Sequence, residues 1–96
     1  MSLKNNKRII KIRRKLDVLD NRLLNIIKIR TGLVNKILQN KTSKNQIVDN
    51  ARIKIILRNI KKKSLRKKID VKLTQKIWKE MIKAYIDFEY RKFKKK

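Results

Sequence analysis

The chain of 96 residues contains no cysteine, no histidine and no proline, and it contains one glycine. Without cysteine, disulfide bonds and thiolate chemistry are excluded. Without histidine, the chain lacks the commonest metal ligand and the commonest general base. The scarcity of glycine and proline excludes glycine-rich phosphate loops, tight-turn β architectures and proline-rich linkers. We therefore expect neither a metal ion nor a cofactor.

Acidic residues are also scarce: seven stand against 31 lysines and arginines, giving a net charge of +24. Such a charge is typical of proteins that bind nucleic acid, a membrane surface or an anionic metabolite. Compositional drift is the alternative, because lysine, isoleucine and asparagine, whose codons are A/T-rich, make up 47 of the 96 residues. Most of the lysines are interpreted as products of this drift, so the informative cations are those at unusual positions in the pattern.

Long apolar runs are missing as well. No uncharged run approaches the roughly 20 residues that a membrane span requires. Residues 1–8 lack an apolar stretch of signal-peptide length. We expect a cytoplasmic protein with a single domain over residues 1–96 and no membrane partner.

The periodicity of the apolar residues predicts an all-α fold of three helices. The first helix extends from about Leu3 to Gln39, and a loop covers residues 40–46. Asp49 is the predicted N-cap of a second helix, about Asn50 to Lys61 or slightly beyond, and residues 61–68 are interpreted as its frayed end and the connection. Asp70 caps the third helix, about Val71 to Phe93. Its predicted inner face consists of Leu73, Ile77, Met81, Ala84, Tyr85 and Phe88.

The first helix carries one apolar stripe along most of its length, formed by Ile12, Leu16, Leu19, Leu23, Ile26, Leu33 and Ile37. Thirty-seven residues span about 55 Å, whereas a compact chain of this size has a radius of gyration of about 12–13 Å. One end of the helix must therefore project and find a partner for its stripe. The simplest partner is a second copy, which predicts an intertwined helical homodimer.

Positioned cations are the main chemical resource of this chain, since histidine, cysteine and paired carboxylates are missing. Arg13, Arg30 and Lys41 replace apolar residues of the stripe or flank it. Arg30 and Lys41 are separated by about 20° around the helix and about 16.5 Å along it, so both can reach one small dianion. Arg13, about 25 Å before Arg30, reaches that dianion only from a partner chain.

The segment Ile12–Leu24 resembles the opening helix of the all-helical chorismate mutase family, IRxxIDxLDxxLLxLL. The resemblance continues with the family's spacing of cations: Arg13, Arg30 17 residues later, Lys41 11 residues later, and Asp49-x-x-Arg52 at the start of the second helix. Ile77–Glu89 is similar to the family's last active-site helix. The resemblance covers about residues 9–93.

This resemblance implies that each active site of an intertwined dimer takes residues from both chains. Arg13 of one chain and Arg30 of the other would hold the two carboxylates of chorismate. Lys41 and Glu89 would bracket its ether oxygen, and Arg52 would support a carboxylate. The site would further include Asp49, Ile53, Tyr85 and Ile86. The implied reaction, rearrangement of chorismate to prephenate, needs positioned charge and no nucleophile.

Two positions depart from the commonest family pattern. Many members have glutamine where this chain has Glu89, and a glutamate donates a hydrogen bond only when it is protonated. We therefore expect activity that falls as the pH rises. Ile53 stands where mutases usually have the glutamate that binds the ring hydroxyl.

The isochorismate pyruvate lyase branch of the family has an aliphatic residue at the position of Ile53, and it shares the Tyr85-Ile86 pair. An alternative function is therefore release of salicylate and pyruvate from isochorismate. A third hypothesis, from a different class, is a basic helical nucleic-acid-binding protein. It rests on the lysine-rich runs and does not explain the spacing of Arg13, Arg30, Lys41 and Arg52.

Overall fold

The computed structural model describes residues 3–94, with side chains from residue 6 onwards. Three α-helices follow one another: α1 (Leu3–Gln39), α2 (Asn50–Lys67) and α3 (Val71–Lys92), with a short 3₁₀ helix, Lys44–Gln46, between α1 and α2. No strand occurs in this part of the chain. The predicted all-α fold with a long first helix is confirmed. None of the helices within the described part is long and apolar enough to cross a membrane.

The internal contacts divide the chain into two compact units, Met1–Val34 and Asn35–Lys96. In the described part of the first unit, α1 exposes the apolar stripe that its sequence predicts. Ile12, Leu16 and Leu23, for example, are each more than half exposed in the single chain. These side chains lack cover from their own unit and contribute their hydrophobic stabilisation only when another surface covers them.

The second unit is organised around the packing of α2 against α3. Asp49 and Asp70 cap these two helices, as predicted: their side chains accept hydrogen bonds from the backbone N–H groups of Arg52 and Leu73, at 3.0 and 2.9 Å. Each cap satisfies an amide that has no partner inside its helix. The caps fix where α2 and α3 begin and therefore which residues face each other.

Helix α2 is longer than the sequence pattern indicates. The run at 61–68, interpreted as a frayed end, is helical through Lys67. Helix α2 ends at Lys68, whose left-handed backbone (φ 57°, ψ 41°) lets the N–H of Ile69 donate to the carbonyl of Ser64 at 2.9 Å. Cations in the last turn interact favourably with the helix dipole, which explains why a lysine-rich segment continues the helix.

A buried polar contact joins α2 to α3. The hydroxyls of Ser64 and Thr74 lie 2.7 Å apart, and the Ser64 hydroxyl also lies 2.7 Å from the carbonyl oxygen of Ile60. Gln75 adds a second tie, because its side-chain amide donates to the carbonyl of Leu57 at 2.9 Å. The packed face of α3 therefore contains polar residues that periodicity does not reveal.

The predicted inner face of α3 is partly wrong in the single chain. Leu73 and Ile77 are 56% and 48% exposed, and Ala84 is exposed too, whereas Thr74 and Glu89 are buried. Helix α2 packs against the side of α3 that contains Thr74. Leu73 and Ile77 lie on another side of α3 and stay exposed in the single chain. The predicted apolar face therefore includes residues, Leu73 and Ile77, that form an exposed apolar surface separate from the face that packs on α2.

The Ser64–Thr74 contact predicts a measurable coupling in stability. We expect Ser64→Ala and Thr74→Val each to lower the free energy of unfolding by about 1–2 kcal/mol, because each leaves a buried hydroxyl with fewer partners. The double variant should lose less than the sum of the two. Urea unfolding at one fixed protein concentration measures this cycle, and strictly additive losses would contradict the contact.

Candidate active site

The centre of the candidate site is an ion pair between two residues 48 positions apart in sequence. The Lys41 ammonium donates to Glu89 Oε1 at 2.9 Å, with side chains 17% and 10% exposed. Lys41 also donates to the backbone carbonyl of Ile47 at 3.4 Å. The cation is therefore held in one place by a side chain from α3 and a carbonyl from the segment before α2.

The local folding around Lys41 explains its position. Helix α1 ends at Gln39, and the backbone N–H of Lys41 donates to the carbonyl of Leu38 at 3.0 Å. Leu38 and Ile47 are the buried apolar residues of this region. Because both are anchored in the core, the loop between them returns toward α3. Lys41 lies at the start of this loop and faces the buried Glu89.

The loop after Lys41 is built around one side chain. The amide oxygen of Gln46 accepts from the backbone N–H groups of Thr42 and Ser43, at 2.6 and 3.2 Å. A cavity of about 530 Å³ opens beside this loop, lined by Thr42, Ser43, Lys44 and Phe93. The lining therefore offers two hydroxyls, one ammonium and one aromatic ring. Thr42 directly follows Lys41 in sequence, and Phe93 lies one helical turn after Glu89. No pattern in the sequence indicates this cavity.

The remaining predicted residues of the second unit lie at the start of α2 and near the end of α3. Asp49 is the N-cap of α2 and holds the backbone of Arg52, whose side chain is exposed. Ile53 follows on α2 and is half-buried. Tyr85 and Ile86 are half-buried one turn before Glu89, and the Tyr85 ring meets that of Phe88 edge to face at 6.3 Å.

The other two predicted cations, Arg13 and Arg30, lie on α1 within the first unit. Arg13 is exposed and Arg30 is half-buried. Arg30 lies in line with the apolar stripe of α1, four residues after Ile26 and three before Leu33. Among the predicted residues, the structure brings Lys41 and Glu89 into direct contact and joins Asp49 to Arg52 through the helix cap.

The contact between Lys41 and Glu89 indicates what chemistry the site can perform. A buried carboxyl group and a fixed ammonium share one location and can both face an oxygen atom of a small substrate. Arginine in general suits carboxylates, since the guanidinium group forms paired hydrogen bonds with them. The arrangement is suited to stabilising charge that develops on an oxygen.

The chain was compared with models of known protein families, and one such model matches most of its length. The family model described as chorismate mutase type II matches residues 12–90. Neither the characterised proteins nor the solved structures gave a match. The matched range contains Arg13, Arg30, Lys41, Arg52 and Glu89.

Proposed function

The chain belongs to the chorismate mutase type II family, and on this premise we propose that its residues rearrange chorismate to prephenate by positioning and electrostatic stabilisation. It is an enzyme of the chorismate mutase family, whose reaction serves the biosynthesis of aromatic amino acids. The single observation that carries the assignment of residues is the Lys41–Glu89 contact of 2.9 Å.

The reaction breaks a carbon–oxygen bond and forms a carbon–carbon bond in one pericyclic step. It requires the folded conformer of the substrate and stabilisation of negative charge at the ether oxygen. In our proposal Lys41 and Glu89 move apart enough to admit that oxygen between them. Lys41 donates to one side of the oxygen, and Glu89, once protonated, donates to the other.

The two carboxylates of the substrate need further cations. We propose that Arg30 of one chain and Arg13 of its partner hold them, while Arg52 supports one carboxylate from the start of α2. Asp49 orients Arg52 because it caps the helix turn on which Arg52 lies. Tyr85, Ile86 and Ile53 are assigned to the wall around the substrate ring.

A homodimer is part of this proposal. Each residue of the apolar stripe of α1 is 52–57% exposed in the single chain. The stripe consists of Ile12, Leu16, Leu19, Leu23, Ile26, Leu33 and Ile37. Burying such side chains stabilises an assembly by about 1–2 kcal/mol each, given that half of the surface is still exposed. A second copy supplies a matching stripe, and the same pairing delivers Arg13 to the partner's site.

The protonation of Glu89 predicts the pH profile. We expect activity to be highest at low pH and to fall as the pH rises, because the carboxyl group donates to the ether oxygen only in its protonated form. Glu89→Gln should flatten this fall, since the amide donates at every pH. The measurement is kcat/KM for chorismate across pH 5–9, in steps of about half a unit.

The matched control for this profile is Glu80→Gln, on the same helix. Glu80 forms a surface pair with Lys83, in which both side chains are largely exposed. This variant should keep the pH dependence of the unmodified enzyme. A flat profile in the unmodified enzyme, or the same change in both variants, would contradict the donor role of Glu89.

The shared active site predicts complementation between two inactive variants. We expect Arg13→Ala and Arg30→Ala each to lower kcat/KM by about 10²–10³-fold. Unfolding the two variants together in equal amounts and refolding them should restore roughly a quarter of the normal activity, because half of the dimers are mixed and each holds one intact site. Each variant refolded alone is the control and should stay inactive. No recovery in the mixture would contradict shared sites.

Isochorismate is the second candidate substrate, and Ile53 is the observation that favours it. This half-buried aliphatic residue lies beside Arg52 on α2 and offers no hydrogen bond to a ring hydroxyl. We expect prephenate formation from chorismate to exceed salicylate formation from isochorismate. Product analysis with both substrates decides between them, and faster salicylate release would make the chain a lyase. Ile53→Glu should then favour the mutase reaction by about tenfold or more.

A further inference from the structure

Two rows of cations on α2 and α3 have no role in the proposed reaction. The row on α2 consists of Lys54, Arg58 and Lys61, and the row on α3 consists of Lys72, Lys76, Lys79 and Lys83. All seven side chains are exposed. Together these residues are called the two-row basic face.

Each row is regular. Its members follow one another at intervals of three or four residues, so they share one side of their helix. The intervals correspond to rises of about 4.5–6 Å, and the row from Lys72 to Lys83 spans about 16.5 Å. Drift toward lysine would scatter cations around the solvent-facing surface. On α2 further cations do lie outside the row, but on α3 every cation before Arg91 belongs to the row.

Both rows lie on the same side of the α2–α3 pair. The helices are antiparallel, because three residues, 68–70, connect them and Ser64 meets Thr74 near that connection. The row on α2 is displaced by about 90° from the buried Ser64, and the row on α3 by about 110° from the buried Glu89 and about 170° from Thr74, all in the same rotational sense. In an antiparallel pair, displacements in the same sense turn two rows toward one side.

The face is also poor in compensating charge. Residues 50–69 contain nine cations and no acidic residue. On α3, Lys83 pairs with Glu80 at 3.5 Å, but both side chains are more than 60% exposed. Such exposed pairs contribute little. The rows therefore present a concentrated positive potential toward any ligand that approaches this side.

We propose that the two-row basic face binds the phosphate backbone of double-stranded DNA without sequence preference. The axes of packed helices lie about 8–10 Å apart, and we infer that the long side chains of the two rows reach across the roughly 12 Å wide major groove. Each row can then follow the phosphates of one strand. Lysine acts on phosphate as a point charge, which gives affinity without base recognition.

Other occupants fit this face less well. The centres of protein interfaces are depleted in lysine and enriched in aromatic residues, and neither row contains an aromatic residue. Binding to a membrane surface needs a continuous apolar face, and all seven residues of the two rows are cations. A second copy that paired through this same face would bring its own rows of cations against these rows.

The test compares two variants that each lose four positive charges. The face variant carries Lys54→Gln, Lys61→Gln, Lys72→Gln and Lys76→Gln. The control variant carries Lys7→Gln, Lys11→Gln, Lys28→Gln and Lys36→Gln, all at exposed positions of α1. Fluorescence anisotropy with a labelled 20-base-pair DNA of random sequence, about 50 to 200 mM salt, gives Kd and its salt dependence.

We expect the face variant to bind at least 30-fold more weakly, with a salt slope shallower by about 3–4 because four phosphate contacts are lost. The control variant should lose less than threefold. Duplex RNA of the same length should bind more weakly than DNA, since its major groove is deep and narrow. Both variants should keep the mutase activity of the unmodified enzyme, which separates this proposal from the proposed function.

Several results would overturn the proposal. Equal losses in both variants would show that net charge alone causes binding. No binding of the unmodified protein to DNA at 50 mM salt, or tighter binding to duplex RNA, would contradict the groove geometry. Tighter binding to vesicles with anionic lipids, or to polyglutamate, would assign the face to a membrane or to an acidic protein partner.

Discussion

The contact between Lys41 and Glu89 joins two distant parts of the second unit. It ties the loop after α1 to the last turns of α3 at 2.9 Å. Glu89 is buried, and a buried carboxylate is strongly disfavoured without a partner. The loop must therefore return to α3, where Lys41 reaches Glu89. The same constraint builds the candidate catalytic pair, so fold and proposed chemistry share one interaction.

The proposed reaction explains an unusual composition. A chain without histidine and cysteine lacks the commonest general base and the thiolate nucleophile. A pericyclic rearrangement needs shape and positive charge, and this chain has an excess of charge. The excess also has a structural cost, because cations repel one another across a small molecule. Placing many of them in rows on α2 and α3 keeps them in solvent, where water and salt screen them.

Much of the fold could be predicted because helix formation depends on near neighbours in sequence. The bounds of α1 and the caps at Asp49 and Asp70 followed from periodicity and from the chemistry of capping residues. The end of α2 did not follow, since a lysine-rich run without a glycine at its end looks like a loop. The left-handed backbone of Lys68 is supported by contacts around Ser64, which no local pattern records.

The sequence by itself determined the three helices, the missing classes of chemistry and the spacing of Arg13, Arg30, Lys41 and Arg52. Only the tertiary structure decided that Lys41 meets Glu89, that Ser64 meets Thr74, and that Leu73 and Ile77 remain exposed in the single chain. The reason is physical. Periodicity fixes directions around one helix axis, whereas contacts between residues far apart in sequence depend on how helices pack.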